Sequence, residues 1–206
     1  MNARPMDAAR FEDEVLALVE THLVAALGEP RGRAAVTFLG ADRIEVLRFV
    51  TDDPSVVRYV TLGMSRRPMH DPLAAVADPL RGPRAELVLS LHDVEDEVLR
   101  PLAVFAASPQ VEGVVVAPGG ALELGGPPLW PGAPFGSVLV GEPGGVVPDL
   151  ELPAPAEPVR WHPLLPMTPN EAAYKRVHGA AALEELWLRH RTDLRDPARG
   201  TVPLAD

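Results

Sequence analysis

The sequence predicts an α+β domain in which helices pack on a mixed, mainly antiparallel sheet. Three observations lead there. Apolar residues recur at helical spacing over residues 7–27 and again near residue 100. Short β-rich strings follow one another at hairpin spacing from residue 35 to residue 62, divided by turn signals such as Asp52-Asp53-Pro54. A capping signature, Thr168-Pro169-Asn170-Glu171, opens a further helix after an apolar strand.

The elements follow in order. Residues 7–27 place Phe11, Val15, Leu18, Val19, His22, Leu23 and Ala26 on one helical face. Asp7 is the expected N-cap. Glu12, Asp13 and Glu14 suit the positive end of the helix dipole, and Gly28 with Pro30 ends the helix. Strands are expected at 35–39, 44–51 and 56–62. In the second, Ile44, Val46 and Arg48 share one face, and Glu45, Leu47 and Phe49 the other. Residues 66–83 carry four prolines and no clean period, so they read as a loop before a fourth strand at 84–91.

Val94, Val98, Leu99, Leu102, Phe105 and Ala106 form the stripe of a second helix. Pro101 places its start near Arg100, because an interior proline costs about 3 kcal/mol. Residues 118–158 hold ten prolines and nine glycines, yet also Leu122-Glu123-Leu124, Leu129-Trp130 and Val138-Leu139-Val140. Short strands joined by ordered turns are expected there, with mobile parts confined to 141–157. A strand at 159–165 leads into the capped helix. Gly179 breaks that helix, and a last one, 180–190, buries Leu183, Leu186 and Trp187. Residues 1–192 are expected to form the domain, and 193–206 a frayed, mixed-charge tail.

Composition narrows the function. At 206 residues the chain suits one domain, able to bury roughly 70% of its unfolded surface. It has no cysteine, which excludes disulfides, thiolate nucleophiles and zinc–thiolate sites. The net charge of −10 disfavours nucleic acid as a partner. No secretory leader and no apolar run of about 18 residues is visible, so no membrane span and a cytoplasmic location are expected. None of the six histidines makes an H-x-x-x-H pair. Ser65 and Ser137 lie outside a G-x-S-x-G elbow, and the glycine pairs lack a phosphate-loop frame. No catalytic residue, metal or cofactor is expected, and the chain does not read as an enzyme.

The order of several pieces carries a family resemblance. A strand ends in Thr61-Leu62-Gly63-Met64-Ser65 and is followed by Arg84-Ala85-Glu86-Leu87. After them come a helix around residues 99–109, a glycine- and proline-rich middle, and a strand ending in Leu165-Pro166-Met167-Thr168 with Glu171 three residues on. Gly179, Leu183 and Leu186 complete the set. Together they resemble the suppressor of fused (SUFU-like) family over roughly residues 55–190. The resemblance implies a single SUFU-like domain with a protein-binding role. Eukaryotic members bind and sequester a transcription factor in hedgehog signalling. Bacterial members are usually stand-alone and are thought to include immunity proteins against toxins. The chain is short for the eukaryotic form's extra domain, which favours the bacterial, stand-alone type. The expected partner is a protein, a basic one given the acidic chain, either a toxin or a regulator.

Seven residues are candidates for partner binding: Thr61, Gly63, Met64, Arg84, Glu86, Trp130 and Trp161. Gly63 after a strand either presents open backbone groups to a partner or merely permits a turn. Arg84 and Glu86 share a strand face. They either meet a partner's charges, or satisfy each other or the Gly63 loop. Trp130, among Pro127, Pro128 and Pro131, is the better candidate for exposure than Trp161, and either tryptophan serves as a surface anchor or as core. Trp187 reads as core. The rival function is a small-molecule-binding protein or a hydrolase with a dispersed acid/base site, pairing Glu86 with His70 or His162.

Overall fold

The computed structural model describes residues 8–70 and 78–204. The chain runs α1 (Ala8–Leu27), β1 (Gly32–Val36), β2 (Ile44–Val50), β3 (Val56–Leu62), β4 (Arg84–His92), α2 (Leu99–Val111), β5 (Ala121–Glu123), β6 (Ser137–Val140), β7 (Val159–Met167), α3 (Pro169–His178) and α4 (Ala180–Arg189). Short 3₁₀ turns occupy Met64–Arg66 and Asp96–Val98. The strands form one seven-stranded sheet in the order β1-β2-β3-β4-β7-β6-β5. Every pairing is antiparallel except β4 with β7. The α+β class and the mainly antiparallel sheet agree with the sequence reading.

Both faces of the sheet are buried, which explains why its strands read as apolar runs on both sides. On one face Leu47, Phe49, Val60, Leu62, Val88 and Trp161 pack against Phe11, Val15, Val19 and Leu23 of α1. On the other, Ile44, Val46, Tyr59, Leu87 and Leu89 pack with Leu102, Phe105 and Ala106 of α2. The two faces expected of residues 44–49 are therefore both core. A third cluster joins Leu139 and Met167 to Leu183, Leu186 and Trp187 of α4.

Several elements fall where local chemistry put them. β3 begins at Val56 after the Asp53-Pro54 turn. Pro101 is the third residue of α2, where its missing N–H is not needed. Pro109 lies further in; the Phe105 carbonyl that would have met its N–H instead accepts the Ser108 hydroxyl at 2.8 Å. Thr168 caps α3 in a full capping box with Glu171, and Gly179, at φ +89°, separates α3 from α4. Asp7, the expected cap of α1, lies outside the described residues.

Other expectations are corrected. The first strand spans 32–36 rather than 35–39, because β2 sets its register: Gly32 pairs with Arg48 and Val36 with Ile44. Leu39 sits in the following turn, fully exposed. Leu129-Trp130 is a buried turn in which the Leu129 N–H reaches the Phe135 carbonyl at 2.9 Å. The tail is the largest correction. Residues 193–204 are strapped onto the domain. Arg199 donates to Glu171 Oε1 at 2.7 Å, to Glu171 Oε2 at 3.0 Å and to the Pro166 carbonyl at 2.6 Å. The Val202 N–H and the Trp187 indole N–H both reach Glu171 Oε1 at 3.1 Å. The His92 N–H meets the Arg195 carbonyl, and the His92 ring meets Asp193 at 2.8 Å. Charge patterning read this segment as solvated because the buried carboxylate it serves is 28 residues upstream.

Candidate functional site

The site grows from a defect in the sheet. β3 and β4 pair as far as Val60 and Val88, after which their backbones part. Thr61 fills the gap: its hydroxyl accepts the Leu87 N–H at 2.8 Å and donates to Glu86 Oε2 at 2.6 Å. The other Glu86 oxygen accepts three more donors, the Gly63 N–H at 2.9 Å, the Ser65 N–H at 3.0 Å and the Ser65 hydroxyl at 2.6 Å. Arg84, two residues earlier, donates from Nη1 to the Ser65 and Arg66 carbonyls at 2.8 Å each, with its guanidinium over the Phe11 ring. The two side chains therefore hold opposite polarities of one turn, and both serve the Gly63 loop rather than each other. Gly63 is obligatory there. Its φ is +126°, and a Cβ would stand 2.8 Å from the Arg43 carbonyl oxygen.

Among the described residues no cation pairs with Glu86. Burial pushes its carboxyl above the usual range, against the pull of Ser65, Thr61 and the two backbone donors. Burial also lowers the Arg84 guanidinium to about 10, while Glu12 and Glu157 act the other way. All seven candidate binding residues are buried, from Thr61 and Glu86 at zero exposure to Trp130 at 4%. None of the seven presents its side chain to solvent. Trp130 packs on Phe135 with ring centres 5.7 Å apart, and Trp161 lies under His22 of α1 at 5.1 Å. The proline neighbours of Trp130 shape a turn that turns the indole inward.

What the turn presents is a cleft of about 320 Å³ lined by Glu12, Met64, Arg67, Pro68, His70, Pro79, Pro109 and Gln110. Arg67 Nε lies 3.1 Å from Glu12 Oε1 and 3.2 Å from Asp42 Oδ2, and Arg66 pairs with Asp13. The Asp42 N–H donates to Gln110 Oε1 at 2.8 Å, tying the β1–β2 connection to the end of α2. Sequence reasoning missed Ser65 as a donor, and it missed Glu12, Arg67 and Gln110. The three cleft residues come from α1, the turn and α2, and no sequence spacing brings those together.

The sheet does not bring Glu86 and His162 together. Glu86 pairs in register with Trp161 and Leu87 with His162, so His162 points to the opposite face from Glu86. His162 is buried on the Gly141 carbonyl, and burial lowers its pKa. His70 lines the cleft, and Glu86 does not reach it. Among the described residues no group of three histidine or acidic side chains is placed to hold a metal, and no helix is long and apolar enough to cross a membrane.

The family model of the suppressor of fused protein (SUFU) matches residues 40–200. The chain belongs to the suppressor of fused family. Solved SUFU-type structures share its fold. A SUFU homologue from Neisseria gonorrhoeae aligns with a TM-score of 0.65 and 17% identity, over 92% of this chain and 97% of that one. A chain of the Sufu–Fu complex aligns at 0.61 with 11% identity, over 93% and 91%. Drosophila Suppressor of Fused aligns at 0.56 with 13% identity, over 91% of this chain but only 50% of that protein. The sequence matches none of the curated proteins. Within this SUFU fold the match begins at Gly40, so the Gly63 turn, Arg84, Glu86 and the Glu171–Arg199 pair all lie inside it.

Proposed function

We propose that this SUFU-family chain is a non-enzymatic protein-binding module that sequesters a basic partner protein in the cytoplasm, as an immunity protein does a toxin. One observation carries the reading. The fold matches, over nearly the whole of both chains, a chain from the crystal structure of a complex between Sufu and Fu. The same architecture therefore serves protein binding in a relative. The net charge of −10 supports a basic partner, since complementary charge speeds encounter and rejects acidic competitors.

The test is capture with the tagged chain from lysate of its source cells at low and high salt, followed by mass spectrometry. One abundant basic protein, recovered as a stoichiometric complex and released by salt, is the expected result. That protein is then expressed alone and with the chain. Growth arrest that co-expression relieves supports immunity. A harmless captured protein removes the immunity role and leaves sequestration standing. A blank at low salt removes both.

A further inference from the structure

We propose that His92 and Asp193 form a pH-sensitive latch, which holds the first part of the C-terminal strap on β4 while the imidazole is protonated and releases it when the proton leaves. The strap has two separate attachments. The distal one is Arg199, bonded to Glu171 and to the Pro166 carbonyl, with the Val202 N–H beside it. The proximal one lies at the end of β4. There the His92 N–H reaches the Arg195 carbonyl at 2.8 Å, and the His92 ring Nε2 lies 2.8 Å from Asp193 Oδ2. Asp193 is itself positioned by the Arg195 N–H, which reaches its other oxygen at 3.0 Å.

The ring's surroundings call for two protons. Nε2 faces the Asp193 carboxylate, and Nδ1 faces the Ser55 carbonyl at 3.4 Å. A neutral imidazole has one N–H and leaves one of these acceptors unserved, whereas an imidazolium serves both. The charges facing the ring are Asp193 and Arg195 on the strap and Asp53 in the β2–β3 turn. The Asp193 hydrogen bond is the largest influence, Arg195 and burial oppose it, and the balance raises the pKa of His92. The latch's contribution is therefore complete below the open-strap value of about 6.5 and disappears as pH rises through the higher closed-strap one. Glu171, with its pKa lowered, stays ionised throughout that range, so the distal anchor does not follow.

The backbone on both sides of the latch is suited to movement. Among the described residues, the two non-glycine positions with positive φ are Asp93 at +60° and Arg191 at +49°. One follows His92 and the other precedes the strap, and such strained positions recur at switch segments. His92 and Asp193 keep 28% and 48% of their side-chain surface, so water screens the pair and the latch stays weak enough to open without unfolding the domain. Leu194, the next residue, walls an apolar cleft of about 290 Å³ with Leu165, Trp187 and Leu188. Release of the latch frees that wall.

Two NMR measurements on the full chain, from about pH 5.5 to about pH 9, test the latch. The His92 ring should titrate above about 6.5, and Asp193→Asn should return it toward that value. Amide protection at His92, corrected for intrinsic exchange, should fall about three- to tenfold as the ring loses its proton, while protection at Val202 stays level. His92→Gln retains the backbone bond to Arg195, so protection at position 92 should no longer depend on pH. A ring that titrates at or below about 6.5 would overturn the latch. So would protection at His92 that ignores pH, or an undiminished pH dependence in Asp193→Asn. A parallel loss of protection at Val202 would show the strap opening as one piece, against a separate proximal latch.

Discussion

Glu86 and Glu171 are both fully buried carboxylates, each with five or fewer donors around it, and they behave oppositely. Among the described residues Glu86 accepts from neutral donors alone, two hydroxyls and two backbone N–H groups, and its pKa is raised. At Glu171 burial also favours the neutral form. Burial is the largest single influence, and Arg199, the Thr168 and Val202 N–H groups and the Trp187 indole together outweigh it, so the pKa is lowered. The difference is one guanidinium. Hydrogen bonds alone hold the Glu86 turn in shape at an unfavourable charge state, whereas the ion pair at Glu171 binds the chain's last segment to the α3–α4 hairpin. One carboxylate shapes a surface, and the other closes the domain.

The sharpest way to break this comparison is Arg199→Met. It leaves a buried carboxylate without its cation, a change that costs about 3–5 kcal/mol in other buried pairs. Urea unfolding should register that loss, together with increased protease sensitivity after residue 192. A loss below about 1 kcal/mol would mean that the strap contributes little. Next in size is Gly63→Ala, expected to cost about 1–3 kcal/mol because φ +126° and the Arg43 carbonyl both exclude a Cβ. Its thermal midpoint should fall, and the NMR signals of Ser65 and Met64 should move most. An unchanged midpoint would show that the turn tolerates a side chain.

The finest test uses pH. Because the folded pKa of Glu171 is lowered, its contribution is present above the unfolded value of about 4.3 and disappears as pH falls through the folded value. Glu86, with a raised folded pKa, contributes fully below that unfolded value and loses its contribution as pH rises through the folded one. Denaturant midpoints of Glu171→Gln should therefore approach wild type as pH drops from 6 to 3, while the deficit of Glu86→Gln grows. Parallel trends in the two variants would sink the contrast. Arg199 should be required for the first trend and irrelevant to the second.

The two sites also differ in how far they could be read from the chain. Thr168-Pro169-Asn170-Glu171 announces its capping box, because every bond in it spans three residues. That the same Glu171 also holds Arg199 and Val202 left no local trace. Arg84 and Glu86 were recognised as neighbours on one strand face and as possible anchors of the Gly63 loop, and the structure selects the loop over mutual pairing. Trp130 was misplaced because flanking prolines resemble exposure in one dimension, while in three they steer the indole onto Phe135.

The sequence by itself determined the start of α2 to within a residue of Arg100, the Thr168 cap of α3, the strand from Val56 to Leu62, the break at Gly179, the acidic charge and the family. Each depends on neighbours within a few residues, on periodicity, or on the order of short motifs. Only the tertiary structure decided the register of β1, the splay of β3 from β4, the strap at Arg199, and the cleft that gathers Glu12, Arg67 and Gln110. Those features come from which elements the sheet order places side by side. Their contacts span tens of residues, a separation at which composition and spacing carry no directional information.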